Sequence, residues 1–298
     1  MKIIKVGKNE NIKTINEAIK AIDEPTEILL MDEYYKEKVV IDKNDIILNG
    51  QNKAVIDYDD YALKIHEDGR EYVTFRTYTL IVKANNIVLK NLTIKNSAGE
   101  GHIVGQAVAL HIYGDNVVVD SCSLLAHEDT LFIGPWSDDL IERYVDLLPE
   151  NERFFKKIFD VSINCTYIEG TVDFIFGGGN ALFNNCTIVS LPHNEDTFIV
   201  APAHRSTVSK GFIFKDCKIM KHKDTKEDSV FLARPWRDYG IATFIDCYLD
   251  SHIKKEGFSK WLDTDRHVHA RFSDINSYGP GASDLSKRVS RSKCQKRY

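Results

Sequence analysis

Val118-Val119-Asp120-Ser121-Cys122-Ser123-Leu124 is a short apolar stretch interrupted by a polar pair and a cysteine, and the chain repeats it. It returns as Val161-Ser162-Ile163-Asn164-Cys165-Thr166-Tyr167 and as Leu182-Phe183-Asn184-Asn185-Cys186-Thr187-Ile188. Two further copies are Ile213-Phe214-Lys215-Asp216-Cys217-Lys218-Ile219 and Phe244-Ile245-Asp246-Cys247-Tyr248-Leu249. A form without cysteine precedes them, Val88-Leu89-Lys90-Asn91-Leu92-Thr93-Ile94. The five cysteines are separated by 43, 21, 31 and 30 residues. Recurrence at roughly 20 to 50 residues marks a solenoid. With apolar strands as the unit and no helix between them, the solenoid is an all-β parallel β-helix. Equivalent positions on successive coils stack, so Cys122, Cys165, Cys186, Cys217 and Cys247 are expected as an interior ladder of small apolar side chains.

Working outward, Thr14-Ile15-Asn16-Glu17 has the form of a capping box. Ile15, Ala18, Ile19 and Ile22 then share one face, which predicts a short N-terminal capping helix closed by Pro25. Strand-like runs follow at 27–31, 38–41, 45–48, 79–82 and 86–89. The outlying separation of 43 contains Pro135-Trp136 and then Leu140, Ile141, Tyr144, Val145 and Leu148 at helical spacing. It reads as an inserted, partly helical excursion near 136–157, leaving the coil just after Asp129. Such an insertion either walls a cleft or is a tolerated surface loop. Residues 1–286 are expected as one domain and 287–298 as a basic, frayed tail holding an exposed Cys294.

Bulk properties exclude several classes. The chain has 298 residues, 43% hydrophobic and 28% charged, with a formal net charge of -5. That balance argues against a nucleic-acid partner. No apolar run approaches the roughly 18 residues of a membrane span. No CxxC pair or zinc spacing is present, so no metal or cofactor is expected. The opening Met1-Lys2-Ile3-Ile4-Lys5-Val6-Gly7-Lys8 has too short an apolar run for a signal peptide. A cytoplasmic location is therefore expected for the chain as given, and secretion if a leader was removed.

The chemistry concentrates in Gly170-Thr171-Val172-Asp173-Phe174-Ile175-Phe176-Gly177, where one carboxylate stands among β-branched and aromatic residues. An unpaired buried carboxylate is costly, so Asp173 needs solvent or a partner. Arg234, in Leu232-Ala233-Arg234-Pro235-Trp236, is the candidate partner, and Asp129 is a second acid. Two acids and one arginine suit acyl or glycosyl transfer. Asp59-Asp60 and Asp138-Asp139 are expected to be solvated pairs.

These motifs resemble the pectin methylesterases (pectinesterases). That family carries Gln-Ala-Val-Ala-Leu-like, Gln-Asp-Thr, Val-Asp-Phe-Ile-Phe-Gly and Leu-Gly-Arg-Pro-Trp motifs in that order. Here they stand as Gln106 to Leu110, Glu128-Asp129-Thr130, Val172 to Gly177 and Leu232 to Trp236, with a family-like close at Tyr278-Gly279-Pro280-Gly281-Ala282. The resemblance implies a right-handed parallel β-helix that removes methyl groups from methyl-esterified galacturonate. It implies Asp173 as nucleophile, Asp129 as acid and then base, and Gln106 as oxyanion donor. Arg234 would hold Asp173 and lower its pKa, while Trp236 stacks on sugar. Phe132 and Phe176 would line the sugar cleft, and His127 stands beside it as a proton or hydrogen-bond donor, or simply as a residue of the coil rim.

The sequence departs from the family at two places. Glu128 replaces a glutamine that helps to form the oxyanion hole, and an ionised carboxylate has no proton to donate. Three outcomes stay open: Glu128 is held protonated and still donates, Gln106 acts alone, or the chain binds oligogalacturonides without turning them over. Ala233 replaces glycine, which is tolerated if φ is negative. An esterase of the same fold acting on another acyl ester is the remaining alternative.

Overall fold

The computed structural model describes residues 1–146 and 157–283. Each coil contributes three short strands joined by tight turns, as in Asp160–Asn164, Tyr167–Gly170 and Val172–Gly177. Strands pair in parallel with their counterparts one coil away. The third strands form a seven-stranded sheet: Val39–Ile41, Leu80–Val82, Leu110–Ile112, Leu131–Ile133, Val172–Gly177, Thr197–Pro202 and Val230–Ala233. The first and second strands of the coils form the other face, a 16-stranded sheet. This is the right-handed parallel β-helix expected from the repeat and the motifs.

Stacked like residues hold the coils in register. Phe183, Phe214 and Phe244 stack inside at 4.3 and 4.6 Å between ring centroids. The cysteine ladder is real but has one different member. Ser123 pairs with Tyr167, and Tyr167 with Thr187, so Thr166 lies between Cys122 and Cys186. Thr166 is buried, and Cys165 is exposed. The Sγ atoms of Cys122, Cys186, Cys217 and Cys247 reach the carbonyls of Leu89, Ile163, Phe183 and Phe214 at 3.3–3.5 Å. Each thiol thus bonds to the coil before it.

Cys165 instead occupies the turn position just outside the ladder. That column is Asn91, Ser121, Cys165, Asn185, Asp216, Asp246 and Asn276, all with φ between 47° and 56°. Asparagine and aspartate tolerate this left-handed region better than other side chains, which explains why they dominate the column.

The N-terminal helix, Ile15–Lys20, buries Ile15, Ala18 and Ile19. Thr14 accepts from the Glu17 N–H, and the Glu37 carboxylate accepts from the Ile15 and Asn16 N–H groups. Free backbone donors at the helix start are thereby satisfied. The helix packs on Val39–Ile41 and Lys2–Val6, covering one end of the solenoid.

The excursion leaves the coil at Gly134, after the strand Leu131–Ile133, four residues later than expected. Its helix, Asp138–Arg143, buries Leu140, while Val145 is exposed. Leu148 lies outside the described residues, as do Cys294 and the basic tail. Leu140 joins a second apolar cluster with Phe75, Val108, Tyr113, Phe132, Trp136, Phe159 and Phe176 on the outside of the seven-stranded sheet. The helix Asp138–Arg143 is therefore docked onto the sheet through Leu140. Among the described residues no helix is long and apolar enough to cross a membrane.

Candidate active site

Each rung of the seven-stranded sheet rises by about 4.8 Å. Leu110 pairs with Leu131, Leu131 with Ile175, and Ile175 with Val200. The Ala107 N–H donates to the Glu128 carbonyl at 3.1 Å, and the Asp129 N–H to the Val172 carbonyl at 3.2 Å. Two rungs beyond Asp173, the Arg234 N–H donates to the Val200 carbonyl at 3.0 Å. Gln106, Glu128 with Asp129, Asp173 and Arg234 are thus brought together from four coils.

Both aspartates have left-handed backbones, φ 65° at Asp129 and 49° at Asp173. A register shift between Val172 and Ile175 releases Asp173 from the strand's strict alternation. Gly177 closes the strand with φ 127°, where a side chain would collide with the Ile133 carbonyl.

Arg234 reaches back across one coil to clamp Asp173. Its Nε donates to Oδ1 at 2.9 Å, and its Nη2 donates to Oδ2 at 2.6 Å. On the way the guanidinium lies 3.8 Å from the centroid of the Phe198 ring and 4.4 Å from that of Trp261. A planar cation with five donors can stack and bind bidentately at once, which a lysine cannot. Ala233, within Val230–Ala233, is buried and has no positive φ, so its methyl group is accommodated.

The three carboxyls differ in environment. Burial pushes Asp129 well above the usual carboxylate range, and Glu128 and Asp173 add to the push. Burial also raises Asp173, and Arg234 opposes that without reversing it. The expected lowering of Asp173 below its ordinary value is therefore not found, because desolvation outweighs the guanidinium. The ordering survives: Asp129 holds its proton most firmly, and Asp173 has the cation.

Glu128 is raised chiefly by burial, opposed by Gln106 and helped by Asp173. The Gln106 Nε2 donates to Glu128 Oε1 at 2.7 Å. One amide hydrogen of Gln106 is therefore already engaged with Glu128. Thr74, which sequence reasoning missed, donates to Gln106 Oε1 at 3.4 Å. Gly101 packs so closely on the Glu128 carboxylate that any side chain there would displace it.

The aromatic residues divide into exposed and covered. Trp236 is half-buried and meets Phe176 edge-on at 5.8 Å. Phe132 and Phe176, expected to line the sugar cleft, are only 1% and 2% exposed. Phe132 is covered by Phe75, His111 and Trp136, and packs on Phe176. His127 is half-buried, and burial lowers its pKa, which disfavours the charged ring. Phe198 and Trp261, which orient Arg234, carried no sequence signal of that role.

The two other acid pairs are not free. Asp60 is 1% exposed and bonds to Lys38 and Lys64 at 2.5 and 2.7 Å. Asp138 and Asp139 bond to Arg205 and Arg237, each at 2.5 Å. Asp59, Asp138 and Asp139 are nevertheless solvated as expected, and only Asp60 departs by being buried; the cations left no local signal because all but Lys64 lie more than 20 residues away in sequence.

A parallel β-helix carrying one arginine-clamped aspartate beside a buried one whose pKa is raised is an arrangement suited to acyl transfer. The pectinesterase family model matches residues 3–137 and 153–297 of the chain. The chain belongs to the pectinesterase family. It is 30% identical to a pectinesterase of Petunia integrifolia, over 93% of this chain and 70% of that protein. It is 28% identical to probable pectinesterase/pectinesterase inhibitor 21 of Arabidopsis thaliana, covering 93% of this chain but 39% of that longer protein. The solved pectin methylesterase PemA of Erwinia chrysanthemi superposes with a TM-score of 0.79 at 24% identity, over 97% and 92% of the two chains, a likeness of fold.

Proposed function

We propose that this pectinesterase-family enzyme hydrolyses methyl esters of galacturonate residues, with Asp173 as nucleophile and Asp129 as acid and base. The observation that carries this reading is the bidentate Arg234 clamp on Asp173, one rung from a buried Asp129. The ionised Asp173 carboxylate attacks the ester carbonyl, giving a tetrahedral oxyanion. Its collapse breaks the bond to methoxide, which takes the Asp129 proton and leaves as methanol. Water then attacks the acyl-enzyme, Asp129 recovers a proton, and Asp173 is released with the free acid. Gln106 and a protonated Glu128 supply the oxyanion donors, worth roughly 2.7–4 kcal/mol each. Trp236 provides the sugar platform.

A pectin methylesterase of this fold has been solved in complex with a hexasaccharide. That supports an oligogalacturonide substrate for this chain. A non-catalytic binding protein is the second reading, favoured by the Gln106 amide being engaged with Glu128. The relatives lend no support to a cytoplasmic location.

The test compares product release from methyl-esterified trigalacturonate, acetylated trigalacturonate and an acyl thioester. Methanol release with neither acetate nor thiol supports the proposal. Release of acetate or thiol alone assigns the site to another acyl ester. Binding of the trisaccharide without any release assigns it to the non-catalytic class.

A further inference from the structure

The docked excursion and the sugar platform share one arginine. Arg237 donates from Nε to Asp139 Oδ1 at 2.8 Å and from Nη2 to Oδ2 at 2.5 Å. Its third nitrogen, Nη1, donates to the carbonyl of Trp236 at 2.7 Å. Its guanidinium lies 4.6 Å from the centroid of the Trp236 ring. Arg266 donates to the same carbonyl at 2.7 Å. Ser137 donates to Asp139 Oδ1 at 2.7 Å, holding that carboxylate toward the arginine. Beneath, Leu140 is anchored in the aromatic cluster that also contains Phe176, on which Trp236 rests.

We propose that Asp139 and Arg237 are positioning residues for sugar binding, and that through them the excursion fixes the Trp236 platform. A planar guanidinium bound bidentately has lost its freedom to rotate. Held in that plane by Asp139, it fixes both the backbone and the ring of Trp236. Without Asp139, Arg237 can turn to solvent; Arg266 still holds the Trp236 carbonyl, but the indole loses the guanidinium beside its ring. Asp138 gives an internal control. It also ties the excursion to the body of the protein, through Arg205, but makes no contact with Arg237 or Trp236.

The inference rests on Trp236 being the sugar platform. It is tested with fully methyl-esterified trigalacturonate, which is uncharged, so that added salt acts only on the protein. Steady-state methanol release and calorimetric binding are measured for wild type, Asp139→Ala, Asp139→Asn and Asp138→Ala. Asp139→Ala should raise KM up to about fivefold with kcat within about twofold, since only binding common to ground and transition states is lost. Asp138→Ala should leave KM unchanged. In 1 M salt, about a 3 Å screening length, wild-type KM should rise toward that of Asp139→Ala. Equal rises in KM for Asp138→Ala and Asp139→Ala, or no rise for either, overturn the proposal, as does a fall in kcat alone. If Asp139→Ala does not fold, the isosteric Asp139→Asn carries the comparison. If wild type releases no methanol, the proposed activity fails, and the calorimetric constants still decide the inference.

Discussion

Replacing Glu128 by glutamine probes the one departure from the family that touches the reacting atoms. Glu128 Oε1 already accepts from Gln106, so only the other carboxyl oxygen can carry a proton toward the substrate. Burial raises this acid, so it is protonated below its raised pKa and loses its proton as pH climbs through it. Loss of one oxyanion donor costs about 10²–10³ in kcat. The donating population falls about tenfold per pH unit above the pKa. The ratio of Glu128→Gln to wild-type kcat should thus be about 1 below the pKa, about 10 one unit above it and about 100 two units above it, then level at the donor's full worth. The variant should decline in turn where Asp129 ionises, because departing methanol needs that proton. Glu128 is one of the groups raising Asp129, so this decline comes at a lower pH than an unchanged Asp129 would set. The assay is initial-rate methanol release from methyl-esterified trigalacturonate between about pH 4 and 9. Superimposable profiles, or a variant slower at every pH, would refute the reasoning.

Asp129→Asn should abolish most turnover while raising the melting temperature, and by more at pH 8 than at pH 4. A raised folded-state pKa gives stability that is full below the unfolded value of about 3.9 and lost as pH rises through the folded value. Melts followed by circular dichroism at the two pH values check this, and asparagine keeps the left-handed backbone. Arg234→Leu leaves Asp173 buried without its cation and should cost about 3–5 kcal/mol in urea denaturation at pH 8, and less at pH 4, where Asp173 can take a proton. Cys165→Asn should stabilise by about 1 kcal/mol, roughly 2 °C by calorimetry, because asparagine suits the turn column where Cys165 has φ 47°.

The solenoid was legible because stacking makes equivalent positions alike, and copies of one pattern six or seven residues long exposed it. The slip at Cys165 has a plain cause: Asn164-Cys165-Thr166 fits the pattern in two registers, and only strand pairing shows that Thr166 faces inward. Gln106, Asp129, Asp173 and Arg234 were legible as motifs, and the structure brings them together. What was not legible depends on distance and burial. Asp139 and Arg237 are 98 residues apart, so their pairing left no local signal. The covering of Phe132 and Phe176 depends on how the excursion docks. The upward push on Asp173 comes from desolvation, which an arginine motif cannot reveal.

The central claim is that Asp173 is the nucleophile, and the most direct test is methanol release by wild type and Asp173→Asn, with trisaccharide binding measured on both. Asparagine tolerates the φ of 49° at this position, so the fold should be kept. The account predicts methanol from wild type at acidic pH, a loss of at least about 10³-fold in Asp173→Asn, and similar binding by the two proteins. Near-wild-type turnover by Asp173→Asn would contradict it.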